Sequence, residues 1–270
     1  MSVRKVLSML ALSTCITCAV SMNGQAPTAN DFAYAGDTGP SYWWQIKQEY
    51  QECAASPMGR QSPINIDNAV EDPTLRPLSL MLGPTPFTLT DPGYTVLATS
   101  SYGGTLVLDG LTYTIQQFHF HSLSEHTVKN HHGLMELHVV FADSNQDLAV
   151  IGVIYKLGSP NPFLQKLLKA GLPDKSTSAP VTIDKLNVEQ AFTDTSSYYR
   201  YTGSLTTPPC SANVKWIILK QWAEMSKDQF EQFRNILGND FRPIQAPNNR
   251  VIRSTVRRGL FGDEGWLPNR

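Results

Sequence analysis

From about residue 86 onward, apolar and polar residues alternate in short runs that fit half-buried strands, over residues 86–90, 95–101, 105–108, 111–121, 134–141 and 148–157. Asp91-Pro92-Gly93, Gly103-Gly104 and Asp109-Gly110 fall between these runs, and such sequences signal turns between antiparallel neighbours. A meandering sheet is the expected result. Residues 148–155 depart from alternation and are almost continuously apolar, as suits a strand covered on both faces at the centre of a sheet. Helical patterns are few and short. The clearest are Pro162–Ala170, capped by Asn161, and Lys227–Leu237, opened by a capping box of Ser226 and Gln229. No internal repeat, low-complexity tract or composition shift marks a linker, so a single domain is expected.

The chain opens on a different pattern. Arg4 and Lys5 precede an apolar run over residues 6–20, with small residues at Ala19 and Ser21, which reads as a secretory signal peptide over residues 1–21. An N-terminal anchor is the alternative, but a span needs roughly 20 apolar residues, and this run is shorter and broken by Ser and Thr. Residues 22–270 are then the mature domain, secreted or periplasmic. Loss of Cys15 and Cys18 leaves Cys53 and Cys210, which in an oxidising compartment form one disulfide or else stay as two buried thiols. A 270-residue chain that is 41% hydrophobic can bury a sizeable core. Its net charge of -1, without a long run of like charge, gives no footprint for nucleic acid or an anionic membrane, and a small neutral or singly charged substrate fits better.

All six histidines lie between positions 119 and 138. In the strand ending at His121, a period of two places Ile115, Gln117, His119 and His121 on one face, with Phe118 and Phe120 on the other. In the next strand Glu136, His138 and Val140 share a face opposite Met135, Leu137, Val139 and Phe141. Three imidazoles can therefore meet. Three neutral His nitrogens with a fourth position open are the ligand set of a catalytic zinc site, whereas structural sites are more often closed by Cys. A His-X-His pair alone is commonly just surface or core; the facing His138 is what raises it. Gln117 and Glu136 each stand two residues before a histidine on the same face, where they can orient its second ring nitrogen. Their plainer reading is a pair of solvated strand positions.

With that geometry in hand, Gln117-Phe118-His119-Phe120-His121, Ser124-Glu125-His126, Glu136-Leu137-His138 and the run from Gly203 to Pro209 together resemble the α-class carbonic anhydrases. Gln61-Ser62-Pro63-Ile64-Asn65-Ile66 near the start, and Arg242-Pro243-Ile244-Gln245 with Asn249-Arg250 near the end, extend the resemblance over nearly all of the mature chain. It implies a mainly β, α+β single domain: a twisted, mostly antiparallel sheet of about ten strands with short peripheral helices. It also implies a zinc lyase that hydrates carbon dioxide reversibly to bicarbonate and a proton, with Zn2+ on His119, His121 and His138 and a hydroxide nucleophile.

The same resemblance assigns further roles. Thr206 orients the nucleophile and donates its hydroxyl proton to Glu125, and Thr207 lines the place of bicarbonate. Val140, Val150, Leu205 and Trp216 match the apolar wall that holds carbon dioxide, although each also reads as ordinary core. Cys53 and Cys210 match the disulfide of secreted members, and Pro63 and Pro209 match positions that are cis in the family. His126 fits a buried structural position near Glu136, while His131 and His132 fall in an expected solvated loop before Gly133.

One departure carries a consequence. Tyr94 stands where fast members of the family have a proton-shuttling His, with Leu97 and Pro92 replacing polar neighbours. A phenol with a pKa near 10 does not relay protons at pH 7 as an imidazole of about 6.5 does, so proton export is expected to limit turnover. Two other readings of the same fold remain: a binding or storage protein that has lost catalysis, and a zinc esterase.

Overall fold

The structure, a computed structural model, describes residues 31–54, 59–100, 102–174 and 177–256, so the expected signal peptide lies outside the described residues. The strands run in chain order as β1 (Asn65–Ile66), β2 (Val70–Glu71), β3 (Ser79–Met81), β4 (Pro84–Thr90), β5 (Leu97–Thr99), β6 (Thr105–Leu108), β7 (Leu111–His121) and β8 (Thr127–Val128). They continue with β9 (His131–His132), β10 (Met135–Ala142), β11 (Leu148–Leu157), β12 (Val181–Asn187), β13 (Tyr198–Ser204), β14 (Ala212–Leu219), β15 (Ala223–Met225) and β16 (Arg253–Ser254). Among the described residues three α-helices accompany them, α1 (Trp43–Ile46), α2 (Pro162–Ala170) and α3 (Lys227–Leu237).

Thirteen of these strands form one sheet whose main path is β12-β4-β5-β7-β10-β11-β14-β13-β16-β2. Pairing is antiparallel from β12 through β11, turns parallel at β11–β14 and β16–β2, and is antiparallel again between β14, β13 and β16. The expected sheet of about ten strands, mostly antiparallel, is therefore present as the main path. Every residue of β10 is buried, and β11 is buried from Ala149 to Tyr155, because both strands are apolar on alternate sides and sit mid-sheet. Met135, Leu137, Val139 and Phe141 enter the larger core with Ile151 and Val153, and Val140 and Val150 enter a second core on the opposite face.

Helices α2 and α3 cover the first face with Phe163, Leu164, Leu167, Phe233 and Leu237. Their starts are chemically fixed: the Asn161 side chain accepts hydrogen bonds from the Phe163 and Leu164 amides, and Ser226 and Gln229 bond reciprocally, as the capping box predicts. The Asp109-Gly110 turn closes the β6–β7 hairpin with φ of 53° and 79°, the left-handed pair that a two-residue hairpin requires.

Four expectations are corrected. Gly103-Gly104 is not a hairpin: β5 and β6 both run antiparallel to β7, one after the other along the same edge. Gly104 is needed there for a different reason, since a Cβ on it would lie 2.4 Å from Leu82 Cα. The strand expected over residues 95–101 shortens to β5, and the expected loop at His131 and His132 is the short strand β9, paired with β8 and exposed. Ile115 does not share the face of Gln117. The register against β10 jumps from Val140↔Gln117 to Phe141↔Ile115, so a bulge at Gln116 returns Ile115 to the larger core.

Candidate metal centre

Strands β7 and β10 lie side by side with His119 opposite His138 and His121 opposite Glu136. Strand alternation turns the three imidazoles to one side, where their ring centroids are 4.7–5.2 Å apart. One ligand atom from each lies within 4.8 Å of those of the other two. The second nitrogen of each ring faces an oxygen atom, hydrogen-bonded at His119 and His121 and in close approach at His138. His119 Nδ1 meets Gln117 Oε1 at 2.8 Å, His121 Nδ1 meets the Asp240 carbonyl at 2.7 Å, and His138 Nε2 stands 3.0 Å from Glu136 Oε1. Gln117 and Glu136 are thus where the strand period put them. Asp240, 119 residues from His121, has no local signal in the sequence.

Burial, with His121 and His138 adjacent, holds His119 well below the usual imidazole pKa, and burial lowers His138 to about 4 against the pull of Glu136. Both are neutral near pH 7 and present lone pairs rather than protons. Burial pushes the Glu136 carboxyl up, but His126 and His138 outweigh it and keep the group well below the ordinary carboxylate range. His121 Nε2 is buried without a hydrogen-bond partner. Neutral, oriented imidazoles around such an atom fit a divalent metal ion. A second group, His126, Glu136 and His138, also brings its ligand atoms together, but there both oxygens of Glu136 are already engaged by His126. The His126 amide donates to Glu136 Oε2 and its Nδ1 meets Glu136 Oε1, both at 2.8 Å, and its Nε2 meets the Tyr201 hydroxyl at 2.7 Å, so it is structural as expected.

Glu125 is fully buried 3.5 Å from His121 Nε2, and its Oε1 accepts from the Arg242 amide at 2.8 Å. Burial raises it to about 8, opposed by the neighbouring Thr206 hydroxyl and that amide. Thr206 itself is buried in the loop after β13. That loop is pinned by the Cys53–Cys210 disulfide, by a bond from the Cys210 amide to the Thr207 carbonyl at 2.9 Å, and by one from the Leu205 amide to Ser211. Ser62–Pro63 and Pro208–Pro209 are cis. The expected disulfide is present.

Val140, Val150 and Trp216 lie in one row across three strands, with Leu205 packed against their cluster. The Trp216 ring is 4.8 Å from that of His138 and its Nε1 donates to the Ser204 carbonyl, so this core residue also borders the histidine cluster. Tyr94 is half-buried against Phe32, with ring centroids 5.1 Å apart, in an aromatic cluster that also holds Trp43 and the disulfide. Burial and the neighbouring Tyr50 raise its pKa above the ordinary phenol value. Leu97 pairs with His119 on the edge of the site.

The sequence profile of the eukaryotic-type carbonic anhydrase family matches residues 38–256. A carbonic anhydrase of Klebsiella pneumoniae is 34% identical over 237 residues, covering 87% of this chain and 95% of its own length. Among solved structures, α-carbonic anhydrase from Thermovibrio ammonificans, in complex with the inhibitor sulfanilamide, has a TM-score of 0.77 at 36% identity, over 82% of this chain and 98% of that one. Dioscorin complexed with ascorbate has a TM-score of 0.76 at 26% identity, over 84% of this chain and 100% of that one.

Proposed function

This chain belongs to the eukaryotic-type carbonic anhydrase family, and from that premise we propose that zinc held by His119, His121 and His138 serves its reaction, the reversible hydration of carbon dioxide to bicarbonate and a proton. The observation that carries the assignment of the metal is the convergence of three imidazoles whose second nitrogens each face an acceptor. With Glu136 on its Nε2, His138 offers Nδ1, while His119 and His121 offer Nε2. Bound there, zinc supplies a water acidic enough to act as nucleophile near neutral pH, an effect for which carbonic anhydrase is itself the reference case, at a pKa of about 7.

The chain's own residues do the aiming. Glu125 is fixed by the Arg242 amide, and its carboxyl, which keeps acceptor lone pairs in either protonation state, would accept a hydrogen bond from the neighbouring Thr206 hydroxyl. Thr206 Oγ1 would then have only lone pairs to offer, and would orient a nucleophile at the metal position by accepting its hydrogen bond. The Thr206 amide faces the substrate oxygen and Thr207 lines the place of bicarbonate. Val140, Val150, Leu205 and Trp216 give nonpolar carbon dioxide a surface from which water is excluded. Tyr94 cannot take the product proton at its phenol oxygen near pH 7, so proton export falls to buffer in solution.

The disulfide supports a secreted or periplasmic location, with residues 1–21 as signal peptide and 22–270 as the mature domain. No helix among the described residues is long and apolar enough to cross a membrane. The likeness to dioscorin, described in complex with ascorbate, motivates a second reading as a binding protein, and activity toward an aryl ester would mark the third. The presence of Glu125 and Thr206 together with all three histidines favours the enzyme.

Metal analysis and stopped-flow hydration on the mature protein, before and after chelation and zinc return, test the proposal. Near one zinc per chain with activity that vanishes and returns is expected. Stoichiometric zinc without hydration would move the protein to the binding reading, and no zinc would overturn the metal assignment.

A further inference from the structure

After α3 ends at Leu237, the chain passes the metal centre through residues that belong to no strand: Asp240 and Arg242 lie outside regular structure. No sheet register fixes where these peptide groups stand, yet two of them touch the site. The Asp240 carbonyl meets His121 Nδ1 at 2.7 Å, and the Arg242 amide meets Glu125 Oε1 at 2.8 Å. The Arg242 end is anchored by its own guanidinium, which donates to Gln61 Oε1, the Ser62 carbonyl and the Cys53 carbonyl at 2.7–2.9 Å.

The Asp240 end has a different anchor. Its carboxylate Oδ1 accepts from the Ser122 amide at 2.7 Å, and its own amide donates back to the Ser122 carbonyl at 3.3 Å. Ser122 directly follows His121, and Asp240, Ser122 and His121 are all buried. The residue whose carbonyl orients the His121 ring is thus tied by its side chain to the next peptide along from that same histidine. A hydrogen bond weakens steeply as it bends, so an error in the placement of that carbonyl is an error in the direction of the ring.

Resting on the metal reading above, we propose that Asp240 is a positioning residue: its side-chain oxygen, clamped on the Ser122 amide, sets the carbonyl that aims His121 at the metal. The clamp depends on an acceptor at the reach of Oδ1. Asp240 Oδ2 has no hydrogen-bond partner and stands 3.9 Å from His121 Nδ1, beyond hydrogen-bond reach, so the second carboxyl oxygen adds no hydrogen bond to the clamp.

The full mature chain and its Asp240→Asn, Asp240→Glu and Asp240→Ala variants decide this through zinc affinity by chelator competition, the visible absorption of the cobalt-substituted proteins, and the melting temperature of each apoprotein. Asn keeps an acceptor at the same reach and is expected to hold zinc within about threefold of wild type, whereas Ala and Glu lose about 10–100-fold, the range for partners that orient metal ligands. The cobalt bands of those two are expected to shift, and apoprotein melting separates this from a general loss of fold. Should Asp240→Ala not fold, the contrast between Asn and Glu answers the same question. Wild-type affinity and cobalt bands in Asp240→Ala, or a loss in Asp240→Asn as large as in Asp240→Glu, overturns the inference alone. Wild-type protein that takes up no zinc overturns the metal reading and the inference with it.

Discussion

Tyr94 is the residue on which the proposal of rate-limiting proton export rests. Its phenol packs on Phe32, and burial pushes its pKa further from neutrality. Replacing it by His puts a group with an ordinary pKa near 6.5 at the same place. Tyr94→His is expected to raise hydration in weak buffer and to shrink the stimulation given by small imidazole buffers, both read by stopped flow. Equal weak-buffer rates would show that proton export does not limit the wild type. The residues of the candidate metal centre were largely legible in the sequence because His119, His121, Gln117, Glu136 and His138 lie on two neighbouring strands, where spacing translates directly into direction. Asp240 was not, because it reaches His121 from a segment outside the strands and 119 residues away.

At the scale of elements, the sheet was readable where apolar periodicity and turn chemistry agree, as at Asp109-Gly110 and at both capped helices. The bulge at Gln116 was not readable, because an extra residue in one strand is defined only against its partner and leaves no mark on its own periodicity. Gly152 illustrates the same dependence on a neighbour. A Cβ there would lie 2.7 Å from Glu136 Oε1 and 2.6 Å from Ile218 Cδ1, and Glu136 cannot yield freely because it is bonded to His126. Gly152→Ala is therefore expected to destabilise the protein by about 1–3 kcal/mol, read from its urea midpoint, and to weaken zinc retention. An unchanged midpoint would mean that the strands shift apart to admit the methyl group.

The far end of the sheet responds to acid. Arg253 on β16 donates to Asp72 beside β2 at 2.6 Å, and the Asp72 carboxyl is held down at about 2, first by the Thr74 hydroxyl and amide and then by Arg253. Because the folded value lies below the ordinary 3.8, this contribution is complete above that pH and is lost as pH falls through about 2. Wild-type stability is expected to fall more steeply than that of Asp72→Asn across that interval, measured by denaturant midpoints at successive pH values. Parallel curves would assign the acid sensitivity to other carboxylates.

Across the whole molecule, the disulfide joins the segment before β1 to the loop that carries Thr206, spanning 157 positions. Closing so long a loop in the unfolded chain stabilises the fold by about 2–4 kcal/mol on typical values. Reductant, or Cys53→Ser, is expected to lower the denaturant midpoint and to slow hydration as the Thr206 loop loosens; hydration unchanged at a lowered midpoint would separate the loop from the bond. The same separation bears on how the protein is made. Cys53 is synthesised long before Cys210, and if residues 1–21 are removed as proposed, no third cysteine remains in the chain to pair with it wrongly. Pairing of Cys53 with Cys210 must wait until the chain has been synthesised past β13, so the bond can close only when every strand of the candidate metal site is already present in the chain.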